Sequence, residues 1–312
     1  MSKGLEKEKI KQLTDYLRDY GIQHGLPQEA LAQGAGVNVS YINAMLNGAT
    51  AVGKTKIADV YYRRVAEYIG YNLEKVYWVH KDIDEYIEVY TELMDAKVNS
   101  NMKIIINNSG FGKTYTVGRF KKENMKHNYR ITVSSLHRLD DILEDIGNTL
   151  NIENLRRGKV SRLRQIAIKL QKIRFSGGRP VLVIDEAENL TVNTLKMMKA
   201  LYDAIHYYCP IVLIGTDDLI QKLDYLLEHK EPGIKQFYRR WKSGIRIVKS
   251  RDKEEVFAPF LECVEDKNLR ELLCALCDNI GELHDYLEPA LRMADEMGVP
   301  LTEEFFKQLY NL

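Results

Sequence analysis

Two stretches of this chain have the residue types and spacing to hold a phosphate. GATAVGKT, residues 48–55, matches the pattern G-x-x-x-x-G-K-[ST] at every position, whereas NNSGFGKT, residues 107–114, departs from it at Asn107, where the pattern has glycine. The chemistry behind the pattern is electrostatic. Backbone N–H groups of a glycine-rich turn and the positive end of a helix dipole point at the phosphates. A lysine then meets the β- and γ-phosphates, and a hydroxyl meets magnesium. Such a loop needs a buried strand before it and a helix after it.

Only one stretch has that context. Before GATAVGKT the chain reads PQEALAQGAGVNVSYINAMLN, with apolar residues at helical rather than alternating spacing. GATAVGKT is therefore expected to be a loop between helices, with Lys54 and Thr55 opening the next helix, KTKIADVYYRRVAEYIG. NNSGFGKT instead follows MKIII, a β-branched run fit for a buried strand, and leads into TYTVGRFKKENM, which can continue as a helix. Asn is the non-glycine residue most tolerant of left-handed backbone angles, so Asn107 can stand where glycine is usual. Asn107, Asn108, Ser109, Gly110, Phe111 and Gly112 are then the expected phosphate cradle of ATP. Lys113 reaches the β- and γ-phosphates, and Thr114 is a ligand for Mg2+.

Further strands follow in order. RPVLVIDEAENL is an apolar strand ending in Asp185-Glu186; Asp185 is expected to hold magnesium through water, and Glu186 to orient and deprotonate the attacking water. PIVLIGTDDL ends a further strand at Thr216, placed to sense the γ-phosphate. YRITVSS offers another strand, with Ser134 at its end able to hydrogen-bond Glu186. Helical patterns separate all four, as the crossovers of a parallel sheet require.

The chain has 312 residues, 45% hydrophobic and 29% charged, enough for more than one domain. Its start, MSKGLEKEKIKQ, lacks the apolar core of a secretory signal, and no apolar run approaches the roughly 20 residues of a membrane helix. The expectation is a cytoplasmic protein with no membrane partner. The four cysteines are too few for a disulfide framework; Cys263, Cys274 and Cys277 could join His284 at zinc, but buried free thiols fit the helical spacing of LRELLCALCDNI better.

The net charge of +1 hides an uneven distribution. Leu155 to Arg179 has no acidic residue and carries Arg156, Arg157, Lys159, Arg162 and Arg164 among its cations. A second acid-free stretch, Ile234 to Arg251, interleaves Arg239, Arg240 and other cations with Phe237, Tyr238 and Trp241. Two such segments point to a polyanion, bound through its phosphates with little regard to sequence.

The stretch before GATAVGKT resembles the helix-turn-helix of the phage repressor and Cro family: Gln28 opens the first helix, Ala32 sits where the helices cross, Gly36 makes the turn, Ile42 is buried, and Asn47-Gly48 ends the second helix. Ser40 and Asn43 are among the residues that such a module turns to the major groove, with no arginine or lysine for a bidentate contact to guanine. The module serves either loose DNA binding or protein contact.

From about residue 100 to the end, the ordered motifs resemble the AAA+ ATPases. That resemblance implies an α/β P-loop domain, a parallel sheet flanked by helices, with a helical C-terminal lid, beside the all-α N-terminal domain. Expected bounds are 1–75 for the helix-turn-helix domain, 76–100 for a helical linker, 101–250 for the ATPase core and 251–312 for the lid. It also implies an arginine finger acting across a subunit interface, Arg240 or, second, Arg239, unless both contact DNA. GELHDYLEPALRMA resembles the sensor-2 helix that reads G-x-L-R, with His284 in the arginine position. Domain order and lid together resemble the MuB target-DNA activators of Mu-like phages, whose relatives include TnsC and IstB. This implies a DNA-stimulated ATPase that forms a filament on double-stranded DNA, recruits a transposase and leaves on hydrolysis. A helicase loader and a nucleotide-responsive regulator share parts of this pattern.

The two loops separate experimentally. Lys113→Ala is expected to weaken ATP binding on the order of 10- to 100-fold, the worth of charge-assisted hydrogen bonds to phosphate, and Lys54→Ala to leave it intact. Nucleotide affinity measured on both variants checks this; failure of the Lys54 variant alone contradicts the reading.

Overall fold

The computed structural model describes residues 7–71, 73, 75–124, 126–249 and 251–312. Part of the charged N-terminal run and Met125, the end of the helical run after the second loop, lie outside them. The chain divides into two compact units at Val76 and Tyr77.

In the first unit, helices α1 (Lys7–His24), α2 (Gln28–Ala35), α3 (Val39–Leu46) and α4 (Asp59–Ile69) enclose a core that includes Leu13, Leu17, Leu31, Ile42, Met45, Tyr62 and Val65. α2 and α3 are joined through Gly36 and Val37, and Asn38 caps α3 by accepting the N–H of Ser40. GATAVGKT departs from expectation in detail. Strands β1 (Ala51–Val52) and β2 (Thr55–Lys56) pair antiparallel across Gly53-Lys54, and α4 begins at Asp59. Gly53, at φ 60°, takes the first central position of this two-residue loop, where a hairpin favours glycine, so the lysine and threonine of the motif enter a hairpin rather than a helix.

The second unit is built on five parallel strands in the order β4 (Asn128–Thr132), β5 (Val181–Asp185), β6 (Ile211–Gly215), β3 (Lys103–Ile106) and β7 (Ile245–Ile247). β7 was not foreseen. Its three residues are too few to show a period, and two of them are exposed. The continuous apolar runs of β3, β5 and β6 have a simple cause: both faces are covered. Ile104, Ile106, Leu182, Ile184 and Leu213 face α7 (Leu139–Thr149), α8 (Lys159–Phe175), α9 (Val192–Ile205), α10 (Asp217–Glu228) and α11 (Ile234–Trp241). Ile105, Val183, Val212 and Ile214 face α5 (Asp84–Asn99) and α6 (Lys113–Glu123). The stretch expected as a linker thus contributes α5, which places Val89, Leu93 and Ala96 in the core of this unit.

Helices α12 (Lys253–Leu261), α13 (Lys267–Leu276), α14 (Ile280–Met297) and α15 (Glu303–Tyr310) form a separate apolar cluster around Phe257, Leu273, Leu287 and Phe306, against which Trp78 and Phe111 also pack. Among the described residues no helix is long and apolar enough to cross a membrane. Nor do three or more His, Cys, Asp or Glu side chains converge as metal ligands there; Cys209 and Cys277 are buried, Cys274 half-buried and Cys263 exposed.

Gly244 lies where the chain enters β7, and a Cβ there would run into the carbonyl oxygen of Met102. Gly244→Ala is expected to destabilise the second unit by about 1–3 kcal/mol, as overpacking does, lowering its thermal midpoint by about 2–4 °C per kcal/mol. An unchanged midpoint in a melting experiment contradicts the tight approach of β7 to β3.

Candidate functional site

Because the strands are parallel, β3, β5 and β6 end at one edge, where open α/β sheets place their ligands. β3 delivers Asn107 there, and the Asn107 N–H donates to the Gly215 carbonyl at 3.1 Å, tying the loop to the end of β6. Gly110 and Gly112 both adopt φ 77°. At Gly110 a second constraint acts: a Cβ would collide with the side chain of Asn279, at the start of α14. The Gly281 N–H donates to the Gly110 carbonyl at 3.0 Å, so the lid helix rests directly on the loop.

Lys113 opens α6 and is buried. Its ammonium donates to the carbonyls of Asn107 at 2.8 Å and Asn108 at 2.7 Å. Burial pulls its pKa down, opposed by Glu188, Glu186 and Asp185. Thr114 is exposed on the same first turn and lines a cavity of about 520 Å³ with Ser109, Gly110, Phe111, Gly112 and Lys113.

Asp185, at the end of β5, is buried, and its Oδ1 accepts the N–H of Glu186 at 3.1 Å. Glu186 adopts a left-handed backbone, φ 58° and ψ 40°, a cost that clusters at functional turns. Its carboxyl is pushed above the ordinary range by burial and by the neighbouring Glu188 and Asp185. Glu186, Glu188 and Thr216 line the same cavity as the loop. The Thr216 hydroxyl is buried without a hydrogen-bond partner, while its N–H donates weakly, at 3.4 Å, to Glu188.

The opposite wall is aromatic. Trp78 stacks on Phe260 with ring centroids 4.6 Å apart, and His284 meets the Trp78 ring edge-on at 5.1 Å. His80 stacks on Tyr115 at 5.5 Å and meets Tyr86 edge-on at 4.4 Å. His284, expected at the sensor-2 position, lines the cavity, with Nδ1 2.9 Å from its neighbour Asp285.

Other expected residues lie elsewhere. Ser134 is exposed and turns to His137 rather than Glu186: its N–H and hydroxyl both reach His137 Nδ1, at 2.9 and 2.7 Å, in a local turn after β4. Arg240 faces back to α9, donating through Nε and Nη2 to Asp203 at 2.9 and 2.6 Å, with its guanidinium 5.2 Å from the Tyr202 ring. Arg239 points outward, with no hydrogen bond or ion pair among the described residues. In the first basic segment Arg162 pins α8 to α7 through the Asp140 carbonyl and Glu144, both at 3.0 Å, whereas Arg156, Arg157, Lys159 and Arg164 are exposed. In the second, Phe237 and Trp241 are core residues, unavailable for stacking on bases. Ser40 and Asn43 are exposed on α3 and engaged locally, Ser40 with Asn38 and Asn43 with Asn47.

Several site residues went unforeseen. Glu188 was visible in DEAE, two positions after Glu186, and its proximity to Thr216 was not. Trp78, His80 and Tyr86 precede or open α5 and carry no motif. Arg130, on β4, donates to Asp185 Oδ2 at 2.6 Å, a pairing across 55 positions that no local pattern announces.

The AAA domain family matches residues 96–223, from the end of α5 into α10. A Mu-like prophage FluMu DNA transposition protein B of Haemophilus influenzae is 27% identical over 223 residues, 69% of this chain and 71% of that protein. The RuvB Holliday junction branch migration motor of Thermotoga maritima aligns with a TM-score of 0.43 at 14% identity, over 73% of this chain and 68% of that chain. The AAA domain match spans the loop, the acidic strand end and the sensor strand, and the transposition protein is similar across most of its length, so the chain carries an AAA domain and resembles the MuB-like AAA+ ATPases.

Proposed function

We propose that the protein is an ATP-dependent DNA-binding ATPase of transposition. It assembles on double-stranded DNA as a filament, engages a transposase, and is released as ATP is hydrolysed. One observation carries the nucleotide part: the loop lysine, Glu186 and the unpartnered Thr216 hydroxyl converge on one cavity. Relatedness to a DNA transposition protein supports the setting. The exposed Arg156, Arg157, Lys159 and Arg164, in a stretch free of acids, support phosphate contact.

The residues present fit ATP. Ser109 to Gly112 offer backbone N–H groups at a helix start, and Lys113 exchanges loop carbonyls for the β- and γ-phosphates. The aromatic wall of Trp78, Phe260 and Tyr115 suits a flat base. Thr114 and Asp185 are the residues that would hold magnesium, which supplies charge neutralisation at the phosphate oxygens when bound. Glu186 orients water and takes its proton; its raised pKa makes it the stronger base. Thr216 donates its free hydroxyl to the γ-phosphate. Arg239, exposed on α11, is better placed than Arg240 to reach a neighbouring subunit.

Glu186→Gln is expected to bind ATP and hydrolyse it about 10²- to 10⁴-fold more slowly, the usual worth of a general base. Because the base works deprotonated and its pKa is raised, activity should be lost as the pH is lowered, already at a pH above the ordinary glutamate range. Glu188→Gln, which removes a like charge, should move that limb to lower pH. A pH–rate profile checks both; a limb that stays put or rises removes the coupling.

Arg239→Ala should bind ATP yet lose DNA-stimulated hydrolysis, and mixing it with Lys113→Ala should restore activity as each subunit lends what the other lacks. No recovery at any ratio, with assembly intact, assigns Arg239 to another role. For the assembly, binding to random duplexes of increasing length should tighten with length and with a non-hydrolysable ATP analogue. Affinity should fall with salt by about 0.9 log units per log unit for each phosphate neutralised. Nucleotide-independent binding of discrete dimers to one short site contradicts the filament.

A further inference from the structure

Asp185 is reached from inside the protein by a residue to which none of the motifs assigns a role. Arg130 lies on β4, its side chain 19% exposed, and its Nη2 donates to Asp185 Oδ2 at 2.6 Å. Side chains alternate along both strands. Ile131 and Ile184 join the core beneath α7 to α9, so Arg130 and Asp185 lie on the other face, under α6. There the guanidinium runs beside Gly118, where a Cβ would come within 3.9 Å of Nη1. Among the described residues Asp185 is its one ionic partner, and its Nε is buried without an acceptor. With the Glu186 N–H on Oδ1, both oxygens of a buried carboxylate are held by protein donors.

We propose that Arg130 is a positioning residue that holds Asp185 oriented for the magnesium of the nucleotide. This rests on the reading of Asp185 as the magnesium-bearing carboxylate. A buried carboxylate with no cation partner is costly. A guanidinium approaching under α6, the helix that Lys113 opens, supplies the charge while leaving the loop side of the site to the ligand. Residues that orient metal ligands in this way typically change metal affinity by about 10- to 100-fold. The opposite possibility, that the guanidinium competes with the cation for Asp185, predicts the reverse sign.

The test measures the affinity for a fluorescent ADP with EDTA and with saturating Mg2+ in the full chain. The variants are Arg130→Met, Asp185→Asn and the double variant, with thermal midpoints recorded for each. In Arg130→Met, metal-free affinity should stay within about twofold, while the tightening produced by Mg2+ should shrink about tenfold. In the Asp185→Asn background, Arg130→Met should add nothing further. If Arg130→Met does not fold, Arg130→Gln, which keeps a donor without the charge, carries the same expectation. Unchanged or increased tightening by Mg2+ overturns the proposal, as does an equal further loss in the Asp185→Asn background. If Asp185→Asn abolishes the tightening and the Arg130 variants retain it, the proposal alone falls. If Asp185→Asn itself retains it, the reading of Asp185 falls as well.

Discussion

A buried ammonium must have acceptors, and Lys113 finds them in the carbonyls of Asn107 and Asn108, six and five residues back along its own chain. That closure fixes the loop as a ring around the space a phosphate needs. It is possible only because β3 ends firmly, buried on both faces between β6 and β7. Parallel pairing then brings the ends of β5 and β6 to the same edge. Asp185, Glu186 and Thr216, scattered along the sequence, thereby become neighbours of the loop. The hairpin at Gly53-Lys54 has the same letters and none of this support: its strands are two residues long, and Lys54 is exposed.

The lid closes the other side. α14 starts with its Gly281 N–H on the Gly110 carbonyl, and Asn279 occupies the space a side chain at Gly110 would take. Movement of the lid therefore moves the loop. The aromatic wall is shared in the same way, since Trp78 comes from the segment before α5 and its stacking partner Phe260 from α12. A ligand in the cavity touches core and lid at once, so its binding can bias how the two are arranged.

Much of this was legible in the sequence where burial is two-sided. The runs III, VLVI and IVLI are apolar at every position because both faces are covered, and each leads, in the last case through Gly215, to a polar residue at the edge of the sheet where the cavity lies. Legibility ended where a role depends on a distant partner. Arg130 looks like any cation on a strand until Asp185 is placed beside it. Arg239 and Arg240 are adjacent in sequence, and only the direction of α11 shows that Asp203 occupies the second. Phe237 and Trp241 stand among cations in a segment read as contacting phosphates, yet the apolar stripe of an amphipathic helix gives the same spacing, and both are core residues. β7 escaped notice because Ile245–Ile247 is short and its last two residues are exposed.

Whether ATP sits across the loop and the aromatic wall can be read without altering a residue. Photolabelling the full chain with an azido-adenine ATP, competed with unlabelled ATP, and mapping the modified peptides locates the base. The label is expected on the peptides that carry Trp78, Tyr115 or His284, lost under competition. Competed label in the peptide that carries Lys54 contradicts the assignment of the site.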